Sequence, residues 1–175
     1  KVQRVLVCNN TYWNKPFYNK SEYSKVENHT LNDTSISSYI DFAKEHKIGL
    51  VVVGPEKYLA EGIVDEFTKH GILCFGPTQE MAKIESSKSY GKEIMKQLEL
   101  PTADFEVYSN RENAKKFLID NICDGYQVIK KDGLAGGKGV LVLKDEKYES
   151  LVKGLNYLDE IYEEDDSSKI LIEKK

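Results

Sequence analysis

The chain has 175 residues and a mass of 20.0 kDa, enough for one substantial hydrophobic core or for two small lobes. Hydrophobic residues make up 40% and charged residues 31%, and a net charge of −4 with a pI near 5.5 argues against a dedicated nucleic-acid binder. No apolar run approaches the roughly 20 residues of a membrane-spanning helix and no signal-peptide order opens the chain, so a cytoplasmic protein with small-molecule partners is expected, with neither nucleic acid nor membrane among them.

In chain order, "QRVLVC" (residues 3–8) is a short β-rich run. The polar, aromatic stretch from Asn9 to Asn28 has no clean helical period and is expected to be a long loop. Ser35 to Lys47 places Ile36, Ile40 and Ala43 on one face behind Ser35 or Thr34 as N-cap, which predicts an amphipathic helix. A strand at Ile48–Gly54, a helix at about Ala60–His70 stopped by Gly71, and a strand at Ile72–Gly76 follow. That alternation predicts a parallel sheet covered by helices, a Rossmann-like layer architecture.

Helices are expected at about Thr78–Glu85 and Ser87–Leu98, before Leu100-Pro101-Thr102 breaks the pattern. Beyond it come a strand "DFEVYS", a helix Arg111–Ile122, a strand "YQVIKKD", a glycine-rich turn, a strand "GVLVLK" folding back on the previous one, a helix Lys147–Tyr157 and a last strand "KILIEKK". The acidic run Glu163 to Asp166 is expected to be a solvated loop, because adjacent loop carboxylates repel one another.

Cys8, Cys74 and Cys123 are widely spaced with no CxxC, the pattern of free thiols in a reducing compartment. His29, His46 and His70 lack HExxH spacing and are expected to be packing or surface residues. Triplets at Asn9, Asn28 and Asn32 match the N-glycosylation pattern, but without a secretion signal they are expected to be coincidental. An opening on Lys1 rather than Met, and a stop directly after a predicted strand, suggest a fragment.

The stretch "KKDGLAGGKGV" (Lys130–Val140) carries the chemistry. Glycines 133, 136, 137 and 139 allow positive φ and leave room for backbone N–H groups to converge on an anion, and Lys138 adds a mobile charge. It is not a Walker A loop, since Lys138 is followed by Gly139 and a strand, and it is not a dinucleotide fingerprint, since it opens no helix. A phosphate flap between antiparallel strands and a ligand-free glycine hairpin both remain. Strand alternation puts Val128 and Lys130 on one face and Ile129 and Lys131 on the other, so Lys130 is a candidate phosphate donor.

"LVVVGPEKYLAEGIVDEF", "GILCFGPTQEMAKIESSKSYGKEIM", "LPTADFEVY" and "VIKKDGLAGGKGVLV", in this order, resemble the phosphoribosylamine–glycine ligase (glycinamide ribonucleotide synthetase) family of the ATP-grasp superfamily. The resemblance is dense over about Ile48–Val142 and looser on the flanks. It implies an α/β fold, a partial Rossmann-like (pre-ATP-grasp) parallel sheet domain at 1–85 followed by the first lobe of an ATP-grasp domain at 86–175. The implied reaction joins glycine to 5-phosphoribosylamine through a glycyl phosphate at the expense of ATP with Mg2+, in de novo purine biosynthesis, in a protein that is fused to later purine enzymes in some organisms.

By motif the resemblance assigns Lys88 and Lys130 to the ATP phosphates and Gly133, Gly136, Gly137, Lys138 and Gly139 to the flap. Glu173 falls on the hinge strand whose backbone reads adenine, and Gly54, Pro55 and Glu56 on the phosphoribosylamine side. Magnesium ligands are expected beyond Lys175, and no catalytic or metal residue is assigned within the chain. Lys57-Tyr58 stands where the family has Ala-Pro, Lys174 replaces a second hinge glutamate, and "CNNTYWN" (residues 8–14) replaces a glycine-containing turn. Another ATP-grasp carboxylate ligase or carboxylase, and a non-catalytic nucleotide-binding homologue, are the alternatives.

Overall fold

The computed structural model describes residues 2–9 and 25–175. Internal contacts divide the chain into two compact units, residues 1–52 with 65–75 and residues 53–64 with 76–175.

In the first unit β1 (Val5–Cys8) and β2 (Val26–His29) pair in parallel, Val5 opposite Val26 and Cys8 opposite His29. β2 corrects the expectation of an unbroken loop over Asn9–Asn28, whose residues 10–24 lie outside the described residues. "VENH" has one strong β-former and no alternation, so only its pairing with β1 makes it a strand. α1 (Ile36–Glu45) starts at its predicted cap, where the Ser35 side chain accepts from Ser38 N–H, and it buries Ile40 and Ala43. β3 (Val51–Val52) and β4 (Cys74–Phe75) are also parallel, and far shorter than the apolar runs that contain them. A ladder extends only as far as its partner, and among the described residues these two strands pair only with each other, leaving Val52 and Phe75 67% and 71% exposed on one face.

The helix expected over about 60–70 is α3 (Ile63–Lys69), and a separate short helix, α2 (Glu56–Ala60), precedes it where a turn was expected. Gly62 separates them at φ +86°, a conformation that ends a helix. α4 (Gln79–Ser86) is capped by Thr78, which accepts from Met81 N–H, and α5 (Lys88–Gln97) by Ser87, which accepts from Tyr90 N–H. Ser87 thus closes one helix and opens the next. The corner is tight enough to require glycine at 91, since a Cβ there would lie 2.7 Å from the Ile84 carbonyl oxygen.

The second unit is built on a four-stranded antiparallel sheet of order β5-β8-β6-β7, made of β5 (Phe105–Tyr108), β6 (Tyr126–Lys131), β7 (Val140–Val142) and β8 (Ile170–Lys174). α6 (Arg111–Asn121) and α7 (Tyr148–Glu164) cover one face. The core between them joins Leu118, Ile129, Leu158, Ile170 and Ile172, all fully buried. α7 runs past the predicted end at Tyr157 because Leu158, Ile161 and Tyr162 continue its buried face, so Glu163 and Glu164 are helical rather than part of a loop. Cys8, Cys74 and Cys123 are free thiols, and among the described residues no helix is long and apolar enough to cross a membrane.

Gly91→Ala is expected to destabilise the protein by about 1–3 kcal/mol, although alanine is intrinsically the better helix former by about 1 kcal/mol, because the new methyl meets a backbone carbonyl that cannot rotate away. A lower urea midpoint with an unchanged denaturant slope is the outcome that checks this.

Candidate functional site

The face of the sheet turned away from α6 and α7 holds the predicted site. Register places Lys130 opposite Leu171 and Val128 opposite Glu173 on neighbouring β6 and β8, while Ile129 and Ile172 point into the helix-covered core. On β7, Val140 and Val142 face the same side, 43% and 49% exposed. Two lysine-bearing elements therefore meet beside open apolar surface, the combination a nucleotide presents in reverse.

Glu173 is buried, with 7% side-chain exposure, and its Oε1 pairs with Lys130 Nζ. Its Oε2 lies 2.6 Å from Lys92 Nζ, a second ion pair on the same carboxylate. Burial pushes the carboxyl pKa up, but the two lysines outweigh it and hold Glu173 below the ordinary glutamate value. Lys92 also donates to Thr102 Oγ1 at 2.6 Å and to the Ala103 carbonyl at 3.3 Å. Lys174 belongs to the other face, where it pairs with Asp104 at 3.0 Å and lies over the Tyr126 ring. A glutamate at 174 would add no carboxylate beside Glu173.

Asp132, the last residue before the glycine turn, joins that turn to α5. Its carboxylate accepts from the Lys88 N–H at 2.5 Å, the Ser89 N–H at 3.2 Å, the Gly133 N–H at 2.9 Å and the Ser87 hydroxyl at 3.1 Å, and the Ser89 hydroxyl donates to it as well. A carboxylate at a helix N-terminus meets both unpaired N–H groups and the positive end of the dipole. Burial raises the Asp132 pKa, and these hydrogen bonds more than reverse it, holding it below the usual carboxylate range.

Lys88 Nζ donates to the Gly133 carbonyl at 2.6 Å. Burial lowers the Lys88 pKa, with Asp132 opposing and Lys130 adding to the fall, so Lys88 and Lys130 act on each other as like charges. In the turn Gly133, Gly136 and Gly137 take φ of +85°, +54° and +80°, positive values that glycine adopts without a Cβ penalty. The Lys131 N–H donates to the Gly139 carbonyl at 2.8 Å and closes the hairpin, while Lys138 stays exposed.

The structure thus brings Lys88, Lys130, Glu173 and the start of the glycine turn together. Gly54, Pro55 and Glu56 form an exposed turn into α2, and among the described residues they make no hydrogen bond or ion pair to the lysine cluster. Two participants escaped the sequence analysis. Lys92 lies one helical turn after Lys88, so an i, i+4 reading of α5 would have found it. Asp132 had the weaker signal of an acidic residue before a glycine. Among the described residues no group of His, Cys, Asp and Glu could hold a metal ion.

An antiparallel sheet offering lysines from β6 and α5 under a glycine hairpin, with apolar surface left open beside them, is the first lobe of an ATP-grasp domain. The profile of the phosphoribosylglycinamide synthetase N domain matches residues 2–85, and that of the phosphoribosylglycinamide synthetase ATP-grasp (A) domain matches residues 86–175. The chain belongs to the phosphoribosylglycinamide synthetase family.

It is 45% identical over 113 residues to a phosphoribosylamine–glycine ligase of Halalkalibacterium halodurans, a match covering 64% of this chain and 26% of that protein. It is 41% identical over 123 residues to the human trifunctional purine biosynthetic protein adenosine-3, covering 70% of this chain and 12% of the human one. The crystal structure of the Thermotoga maritima phosphoribosylamine–glycine ligase superposes with a TM-score of 0.58 at 27% identity, over 90% of this chain and 36% of that one. The chain spans under a third of the length of the curated relatives it matches.

Because the Asp132 pKa is lowered in the folded protein, its carboxylate stabilises the fold above the unfolded value of about 3.9, and that contribution disappears as pH falls through the folded value. Asp132→Asn is expected to cost about 1–2 kcal/mol at pH 7, and urea melts from pH 7 to pH 3 should show the gap between wild type and variant closing below about pH 4.

Proposed function

We propose that the chain is the nucleotide-gripping part of an ATP-dependent ligase that joins glycine to 5-phosphoribosylamine through a glycyl phosphate, as a step in purine biosynthesis in the cytoplasm. The observation that carries the proposal is the convergence of Lys88, Lys130 and the glycine turn on one sheet face beside the open side chains of Val140 and Val142. The division proposed is a substrate-side part over residues 1–85 and a nucleotide-side part over 86–175.

Activation of a carboxylate by ATP brings two anions together, so the barrier falls where fixed cations and N–H groups already face the phosphates. Lys130 and Lys88 would each donate to phosphate oxygens. Gly133, Gly136, Gly137, Lys138 and Gly139 would close over them with backbone N–H groups, since three of these glycines already hold the positive φ that lets successive amides point one way. The apolar side chains on β7 offer a surface for the adenine, whose edge would meet the backbone at Glu173. Gly54, Pro55 and Glu56 are assigned to phosphoribosylamine, a role their exposure permits.

Magnesium, which the resemblance implies, does not fit the described residues. Among them no group of His, Cys, Asp and Glu is placed to hold the ion, and the Glu173 carboxylate is already held by two lysines. What these residues supply is charge and position at the phosphates. Fusion to other purine enzymes, as in the human relative, is part of the proposal for the longer polypeptide.

In the full-length protein Lys130→Ala is expected to weaken ATP binding or turnover by about 1–3 kcal/mol, the scale of one charge-assisted hydrogen bond. Release of ADP that requires glycine and phosphoribosylamine together distinguishes this ligase from other ATP-grasp carboxylate ligases. ATP binding with no ADP release would instead favour a non-catalytic homologue.

A further inference from the structure

Two lysines share one buried carboxylate, and only one of them has been given a phosphate to bind. Lys130 sits at the edge of the open face with 25% side-chain exposure, whereas Lys92 is 15% exposed and anchored a second time by Thr102 and Ala103. A carboxylate as enclosed as Glu173 cannot lose its only counter-ion without leaving a desolvated charge behind. If Lys130 were that only partner, its movement to a phosphate would trade one ion pair for another and strand Glu173.

We propose that Lys92 is a positioning residue that keeps Glu173 neutralised while Lys130 transfers from the carboxylate to a phosphate of the bound nucleotide. The proposal rests on the nucleotide-binding function argued above, and it concerns a residue that does not itself touch the ligand. Before binding, the three side chains carry one net positive charge, two ammonium groups against one carboxylate. After transfer, Lys92 and Glu173 form a closed neutral pair and Lys130 is matched by phosphate. Lys88 favours the same direction, because its charge next to Lys130 calls for an anion in the space between them.

The device selects for phosphate. A nucleoside with no phosphate offers Lys130 no new partner, so it leaves the lysine on Glu173 and gains nothing from Lys92. Loss of Lys92 would therefore tighten the hold of Glu173 on Lys130 and weaken phosphate-bearing ligands selectively. A merely structural Lys92, stapling α5 to the segment before β5, would affect nucleoside and nucleotide alike.

The test is calorimetric titration of the full-length protein with ADP and with adenosine, for wild type, Lys92→Met and Lys92→Arg. The expected result is a loss of ADP affinity of roughly 10- to 100-fold in Lys92→Met, a change of less than about 3-fold for adenosine, and recovery of most ADP affinity in Lys92→Arg. Equal losses for both ligands, or no loss for ADP, overturn the inference. Should Lys92→Met fail to fold, the comparison is made in a Glu173→Gln background, where the neutral amide needs no counter-ion. There, adding Lys92→Met should leave ADP affinity within about 3-fold, and a loss beyond tenfold counts against the exchange. If the folded wild type holds no ADP at all, the nucleotide-binding function fails and this inference with it, whereas ADP binding that ignores Lys92 removes the inference alone.

Discussion

A carboxylate with 7% exposure sets the terms for the second unit. Placing Glu173 on a central strand requires cations from outside that strand, and they come from β6 on one side and α5 on the other. That requirement fixes where α5 lies against the sheet and turns both lysines toward the same few ångströms. A leucine at 173 would bury more comfortably, and replacing buried ion pairs by packed apolar groups is often neutral or stabilising. The arrangement makes better sense as a means of holding ammonium groups ready than as a source of stability.

Asp132 does for the glycine turn what Glu173 does for the strand. Its carboxylate gathers the first N–H groups of α5 together with that of Gly133, so the base of the hairpin and the start of the helix move as one body. The turn beyond Gly133 is held more lightly at its tip, where glycine φ values are positive, Lys138 is exposed, and the Tyr157 hydroxyl donates to the Lys138 carbonyl at 3.5 Å. A rigid base and a permissive tip are the mechanical requirements of a flap that must admit a ligand and then cover it.

Much of this was legible in the sequence because it rests on local rules. Ser35 caps α1 as its position predicts, α4 and α5 begin directly after Thr78 and Ser87 where helix starts are expected, and alternation along "QVIKK" assigns Ile129 to the core and Lys130 to the open face. What was not legible depends on partners distant in the chain. β2 is a strand only by virtue of β1, and β3 and β4 stop where their mutual ladder stops. Lys92 reads as an ordinary helical lysine until Glu173 is brought against it from 81 positions away, 173 less 92. The short helix α2 ahead of Gly62 carries too few apolar positions to show a period, while one positive φ at Gly62 is enough to separate it from α3.

The strand order also has a consequence for synthesis. β8 lies between β5 and β6, yet it is the last of the four strands to be made, and Phe105 must wait for Glu173 before it has a cross-strand neighbour. On the ribosome β6 and β7 can form their hairpin early, but β5 would stay an unpaired edge until residues 170–174 have cleared the exit tunnel. A translational pause before β8 would prolong exposure of that edge to other nascent chains, and a pause after it would not. The strand that carries the central carboxylate is thus also the one whose arrival completes the sheet.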